Sequence, residues 1–382
     1  MPFDPAILER VELDMLEEAG VRLMLRAQLV GARAASGTIT SVDVYTKAGA
    51  ARLSPRFCVD ATGDADLAAL AGFRCRKGRE TDGLMQPVTL MMRVGGVDID
   101  LLRDYVRTHP DEFAWTAEPC LPAGADSSRT NETLVIGSGF RGEIRKARDA
   151  GELYFGRSRF VFATGVRPGE VFLNATRVNG IDGTSSADLT RAEVDGRRQA
   201  MSLFRFVSHR IPGFARSWLI ATGATVGVRE TRRIVGEYEL GLADVLGGAR
   251  FADAIAVGGY PVDVHEVTSE WGQAVQKESV WTELPAPYDV PLRCLIPRGG
   301  ANLLAAGRCI SASHEALGSA RVQPIAMATG EAAGAAAALA CAEGARQIGA
   351  LDVGKLRRQL VRQGVYLRPL SGEDEQSGLS KG

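Results

Sequence analysis

The stretch from Asn302 to Leu339, NLLAAGRCISASHEALGSARVQPIAMATGEAAGAAAAL, decides the fold. Asn302 to Ala306 predicts a short buried strand, and Gly307 breaks it where the backbone must turn sharply or approach a ligand. A loop rich in Ser, Gly and His follows. Pro324 then opens a predicted helix that runs to about Glu343, with Gly344 placed to stop it. Its Ala and Gly side chains let neighbouring backbones come close, and its free N-terminal N–H groups present partial positive charge. An anionic ligand suits that end.

The run AGRCISASHEALGSARVQP, followed by an Ala/Gly helix, resembles the C-terminal flavin-binding segment of FAD-dependent oxidoreductases with the glutathione-reductase-like fold. It is most similar to the branch that includes the flavin part of heterodisulfide reductase A-type subunits. The resemblance implies that Gly307 and Arg308 lie along the pyrophosphate and ribitol of FAD. It also implies that the backbone at Val322, Gln323, Pro324 and Ile325 faces N1 and the C2 carbonyl of the isoalloxazine. A helix N-terminus favours the negative charge that a reduced flavin carries there.

Composition sets the frame. The chain has 382 residues, a formal net charge of -1 and 45% apolar residues, enough for a globular protein of two lobes. Its balanced charge offers no basic field for nucleic acid, and no run combines the length and hydropathy expected of a transmembrane helix. Without the basic, apolar, small-residue order of a signal peptide, the expected location is cytoplasmic. Cys58, Cys75, Cys120, Cys294, Cys309 and Cys341 contain no C-x-x-C pair, so neither a metal site nor an iron-sulfur cluster is expected from them. The triplets at Asn131 and Asn174 match the glycosylation pattern by chance in such a compartment.

From the N-terminus, Asp4 and Pro5 open a helix whose apolar face is Ile7, Leu8, Val11, Met15, Leu16 and Ala19, ended by Gly20. Residues 21–30, 38–46 and 50–61 predict a β-meander that runs into Ala61-Thr62-Gly63-Asp64, with Asp64 near the cap of the next helix. In the flavoproteins it resembles, such a meander belongs to the nucleotide-binding domain, which implies that Ala61, Thr62, Gly63 and Asp64 line the cofactor and that Leu29 passes its backbone along the adenine. Those proteins begin with a strand, a G-x-G-x-x-G turn and a helix. None of this follows Met1, and by resemblance roughly 80 to 100 residues are expected to be absent, somewhat more than a βαβ unit. Gly137 to Gly142, GSGFRG, matches the pattern, but its following helix is short and the next strand, Arg159 to Thr164, ends without an acid. It is expected to be a surface loop.

The expected architecture is α/β: an N-terminally incomplete FAD-binding domain from residues 1–83 and 291–370, an inserted α+β substrate domain from 84–290, and a disordered tail from 371–382. Within the insertion, residues 87–97 and 170–178 predict strands, 98–107 a helix, and Thr190-Arg-Ala-Glu193 a capping box. Two phrases carry chemistry, GVRETRRIVGEYEL at 227–240 and GGYPVDVHE at 258–266. Arg229, Arg232 and Arg233 read as a solvated face paired with Glu230 and Glu237; the resemblance instead turns both phrases toward the flavin, which singles out Arg229 and His265. His265 and His314 are the candidate bases, since an imidazole titrates near neutrality, whereas His109 and His209 read as surface residues. Arg321 and Arg293 are candidates for holding a carboxylate or hydroxylated substrate, or for ion pairs with nearby acids. Tyr260 is the reserve base.

The function expected is therefore hydride transfer between a small polar substrate and FAD, with an unidentified electron acceptor. Two rivals stand beside it: a non-catalytic remnant or partner subunit of a flavoprotein, and an electron-transfer flavin subunit, against which the missing cysteine clusters count.

Overall fold

The computed structural model describes residues 3–117, 134–154, 156–265 and 279–369. Cys120, the Asn131 triplet and the polar tail expected to be disordered lie outside them. In chain order the elements begin with α1 (Pro5–Glu18), β1 (Gln28–Ala35), β2 (Thr38–Thr46), β3 (Gly49–Leu53), β4 (Cys58–Asp60), α2 (Asp66–Leu70), β5 (Cys75–Lys77) and β6 (Met92–Gly95). Next come α3 (Ile99–Thr108), β7 (Trp115–Ala117), β8 (Ile136–Gly139), α4 (Arg141–Asp149), β9 (Phe160–Thr164), β10 (Val171–Asn174), α5 (Ser186–Arg210) and β11 (Trp218–Thr222). The rest are β12 (Arg232–Ile234), α6 (Leu242–Leu246), β13 (Ala254–Gly258), β14 (Val262–His265), β15 (Ser279–Thr282), β16 (Tyr288–Pro291), β17 (Leu303–Ala305), α7 (His314–Ala320), α8 (Gln323–Ala342) and α9 (Val353–Arg362).

The described residues pack into two compact units. One gathers the chain up to Met24 and Pro87–Val228; the other gathers Leu25–Gln86, the residues from Arg229 to 265, and those from Ser279 onward. These limits differ from the boundaries read in the sequence, because strand pairing draws the stretch after Arg229 into the second unit: β12 pairs with β5 and β13 with β16. In the first unit an antiparallel sheet of order β11-β6-β10-β9-β8-β7 shares its core with α5, which buries Ala192, Ala200, Leu203, Phe206 and Val207. Helix α1 belongs to this unit, and its capping Asp4 is held by Arg167 at 2.5 Å.

Several local expectations change. The meander is β1-β2-β3, but its first strand starts at Gln28 rather than at residue 21. The long helix α5 starts at Ser185, whose side chain accepts from Asp188 N–H, so the Thr190 hydroxyl lies inside the helix and donates to Ser186 C=O instead of capping it. The GSGFRG segment is no surface loop: Gly137 and Gly139 lie buried in β8, where an added Cβ would meet the rings of Phe162 and Phe113 at 2.9 and 2.1 Å. Those glycines make room for aromatic packing, and their strand is antiparallel to both neighbours, unlike a dinucleotide turn.

The second unit holds the Ala/Gly helix as α8. Contrary to the expectation from its composition, α8 is long and apolar enough to cross a membrane, yet Ile325, Thr329, Ala332, Ala333, Ala336 and Ala340 are buried in the unit's own core. Alanine supplies both its apolar count and its close packing.

Candidate active site

Strands β4 and β17 are parallel neighbours, with Asp60 opposite Ala305. The two signature loops, Ala61–Asp64 and Gly307–Arg308, therefore leave the same carboxyl edge, the place where α/β sheets bind ligands. Asp60 builds the first loop. Its buried carboxylate accepts from Thr62 N–H and hydroxyl at 3.1 and 2.7 Å and from Ala68 N–H at 2.9 Å, while the Thr62 hydroxyl accepts from Asp66 N–H. Asp60 and Thr62 thus satisfy the first turn of α2, and Asp64 is no cap: Ala65 holds that position at φ 52°. Asp64 instead accepts from the Thr231 hydroxyl at 2.6 Å and pairs with Arg308 at 3.1 Å. A Cβ on Gly63 would sit 2.5 Å from that guanidinium.

Gly307 has φ +76°, as its place after the strand requires, and its N–H donates to Thr329 Oγ1 at 2.9 Å. A Cβ built there meets nothing closer than Ala326 at 3.8 Å, so the protein leaves that space open. Helix α8 begins after Val322 with no side chain capping its free N–H groups, and Gln323 and Pro324 are exposed. Arg321, just before Val322, is mostly buried, and burial pushes its guanidinium below its ordinary value. It donates to Asp263 C=O at 3.0 Å and lies 3.5 Å from the Asp263 carboxylate, but its buried Nε has no partner. An uncapped helix end, an orphaned buried cation donor and an open glycine are what an anionic ring edge with a phosphate chain needs.

Two histidine–carboxylate pairs lie in the same unit. On β14, Asp263 and His265 share one face of the strand, and His265 Nε2 is 3.3 Å from Asp263 Oδ2. Burial raises Asp263, but the hydrogen bond from His265 and the charges of His265, Arg321 and Arg229 outweigh it and hold the carboxyl below its usual range. Burial, reinforced by Asp263, raises the Tyr260 hydroxyl. The second pair is deeper: His314 Nδ1 lies 2.8 Å from Glu230, which also pairs with Arg233 and accepts from Gln86 N–H at 3.3 Å. Both Glu230 and Arg233 are buried, so they form no solvated face; Arg232 is half-buried and pairs with Asp66.

Of the sequence candidates, the fold brings Gly63, Asp64, Gly307 and Arg308 together, and it gathers His265, Arg321 and Tyr260 about Asp263, with Arg229 within electrostatic reach. Leu29 is half-buried on β1 in a small core with Leu67 and Ala68 of α2. Arg293 forms the ion pair that is its alternative role: its Nε and one terminal nitrogen are held by Asp253 at 2.9 and 3.2 Å. His109 and His209 are exposed, as expected. Burial pushes Cys309 up to about 12 and Cys58 to about 11, so neither offers a thiolate near neutral pH.

The sequence profile of the family described as FAD dependent oxidoreductase matches residues 1–360. Two similar solved structures are a geranylgeranyl bacteriochlorophyll reductase-like protein from Thermoplasma acidophilum, with TM-score 0.40 and 10% identity, and the myxobacterial chondrochloren halogenase, a variant of FAD-dependent halogenases, with TM-score 0.40 and 12% identity. Each alignment covers 94% of this chain, which spans 59% and 55% of the two proteins' lengths. A search of curated proteins finds no match. FAD is the cofactor that the family uses, and the residues above fit it. With the profile spanning nearly its whole length, the chain belongs to the family of FAD-dependent oxidoreductases.

Proposed function

We propose that this chain is an oxidoreductase of the glutathione-reductase-like type that exchanges a hydride between FAD and a small polar substrate, with His265 as the base. The observation that carries the reading is the Asp263–His265 pair beside Arg321, immediately before the uncapped end of α8. A bound FAD would supply the ring that accepts a hydride from a substrate carbon. Gly307, Arg308 and the backbone from Val322 to Ile325 hold it, and the start of α8 together with Arg321 favours negative charge on its ring.

His265 receives the proton that leaves the substrate's hydroxyl or amine. A carboxylate on Nε2 favours the tautomer protonated there, which leaves the lone pair on Nδ1. The Asp263 carboxylate stays ionised and stabilises the imidazolium that forms. His314 suits the role less well. Its side chain is more deeply buried than that of His265, and its carboxylate partner is in direct contact with the buried Arg233, so a charged imidazole there would cost more.

The test is anaerobic single-turnover reduction of the flavin by substrate, after flavin content and fold have been checked in each variant. His265→Asn should keep FAD and slow reduction by roughly 10²- to 10⁴-fold, the usual contribution of a general base. His314→Asn should slow it far less. Near-native reduction in His265→Asn would remove His265 from the mechanism.

A further inference from the structure

Two surfaces of the first unit complement each other. Helix α1 buries none of its residues, although Ile7, Val11 and Met15 line up at four-residue spacing along it and Phe3 lies just before its cap. Ile7 is 60% and Met15 63% exposed. The helix is also acidic, with Glu9, Glu12, Asp14, Glu17 and Glu18 against a single cation, Arg10. Arg10 pairs with Asp14 and Glu17, so Glu9, Glu12 and Glu18 have no ion pair among the described residues. A solvent-facing helix with a wide apolar stripe and acidic flanks lacks a partner.

The opposite pattern lies on α5. Its exposed side presents Val194 and Met201 seven residues apart, 47% and 40% exposed, and Arg191, Arg198 and Arg205 at the same seven-residue interval. This is the layout of a helix-packing seam flanked by charge. Arg191 is paired with Asp188, Arg197 with Glu193 and Arg210 with Glu152, whereas Arg198 and Arg205 have no carboxylate partner among the described residues. Two adjoining hollows of about 730 and 640 Å³ run along this side and share Glu152 and Arg205. Leu153 and Tyr154 wall the first, and Tyr154 N–H is fixed to Ser202 Oγ at 2.9 Å. From Val194 to Arg210 the groove is about 25 Å long and α1 is about 21 Å, at 1.5 Å per residue.

We propose that α1 of one copy of this chain seats in the α5 groove of a second copy, its apolar stripe on Val194 and Met201 and its free glutamates against Arg198 and Arg205. Each copy offers one helix and one groove, so a two-fold axis makes both contacts at once and closes a dimer.

The full chain is tested by sedimentation velocity and equilibrium. At roughly 100 µM it should be a dimer that dissociates as salt rises from about 0.1 to 1 M and the screening length falls from about 10 to 3 Å. Arg198→Glu with Arg205→Glu should weaken association by about tenfold or more, and so should Glu9→Arg with Glu12→Arg. All four side chains are exposed, and far-UV circular dichroism confirms that each variant is folded. The decisive arm combines both reversals in one chain, which should restore association to within a few-fold of the native value. A monomer at that concentration, indifference to either reversal, or no rescue in the combined variant overturns the proposal and leaves the two faces to other partners.

Discussion

Glu230→Gln removes one charge from a deeply buried ion pair of the second unit while keeping the side chain's shape. In the native protein the carboxylate meets Arg233, whose side chain is 3% exposed, and His314 Nδ1 at 2.8 Å. Arg233 also donates to Gly78 C=O at 2.8 Å, which fixes it in place when its counter-ion is lost. Its Nε lacks a hydrogen-bond partner, and among the described residues Glu230 is the carboxylate it pairs with. Leaving one member of a buried pair uncompensated costs about 3–5 kcal/mol. At about 2–4 °C per kcal/mol for a unit of this size, the melting temperature should fall by about 6–20 °C. Differential scanning calorimetry of the full protein reads this directly. The companion variant Glu230→Leu/Arg233→Met removes both charges and should recover much of the loss, because the pair itself repays little beyond its own desolvation. A fall of less than about 2 °C in Glu230→Gln, or a double variant worse than the single, would refute the reasoning.

Gly307→Val should cost the apoprotein only about 1–3 kcal/mol of backbone strain at φ +76°, since no protein atom crowds the added Cβ, yet it should abolish FAD binding in a fluorescence titration; unchanged affinity would detach Gly307 from the cofactor. Asp263→Asn should flatten the acid limb of stability. The folded carboxyl sits below its unfolded value, so its contribution is full above pH ~3.9 and is lost as pH falls through the folded value. An unaltered fall in melting temperature below about pH 4 would show that Asp263 carries no such linkage.

The elements that sequence reveals best are those with strong local punctuation. Asp98 caps α3 by accepting from Leu101 N–H, and Gly344 follows the end of α8 with φ +66°, both where residue type alone places them. Misplaced elements share a different cause, competition between local and distant partners. Thr190 and Glu193 have the spacing of a capping box, but Glu193 instead accepts from Val226 N–H at 2.7 Å and pairs with Arg197, and the helix starts a turn earlier. Gly137 and Gly139 look like loop residues until Phe113 and Phe162 fill the space their missing side chains leave.

For the site, loops are legible and carboxylates are not. Gly307, Arg308 and the A-T-G turn advertise themselves by glycine and by position after a strand, and β4 pairing with β17 then sets them side by side. The acids that give the histidines their character carry weaker signals. Asp263 could be found from D-x-H on one strand, since alternate residues share a face, and Asp60 from the Asp-x-Thr spacing of a side-chain turn. Glu230 has no such signal: it reaches His314 across 84 residues of sequence, and among three nearby arginines its surroundings read as surface. Burial alone reverses that reading. A carboxylate among arginines in water is one ion pair of little consequence, whereas the same group out of water needs its donors close by, and Glu230 finds them in Arg233 and His314.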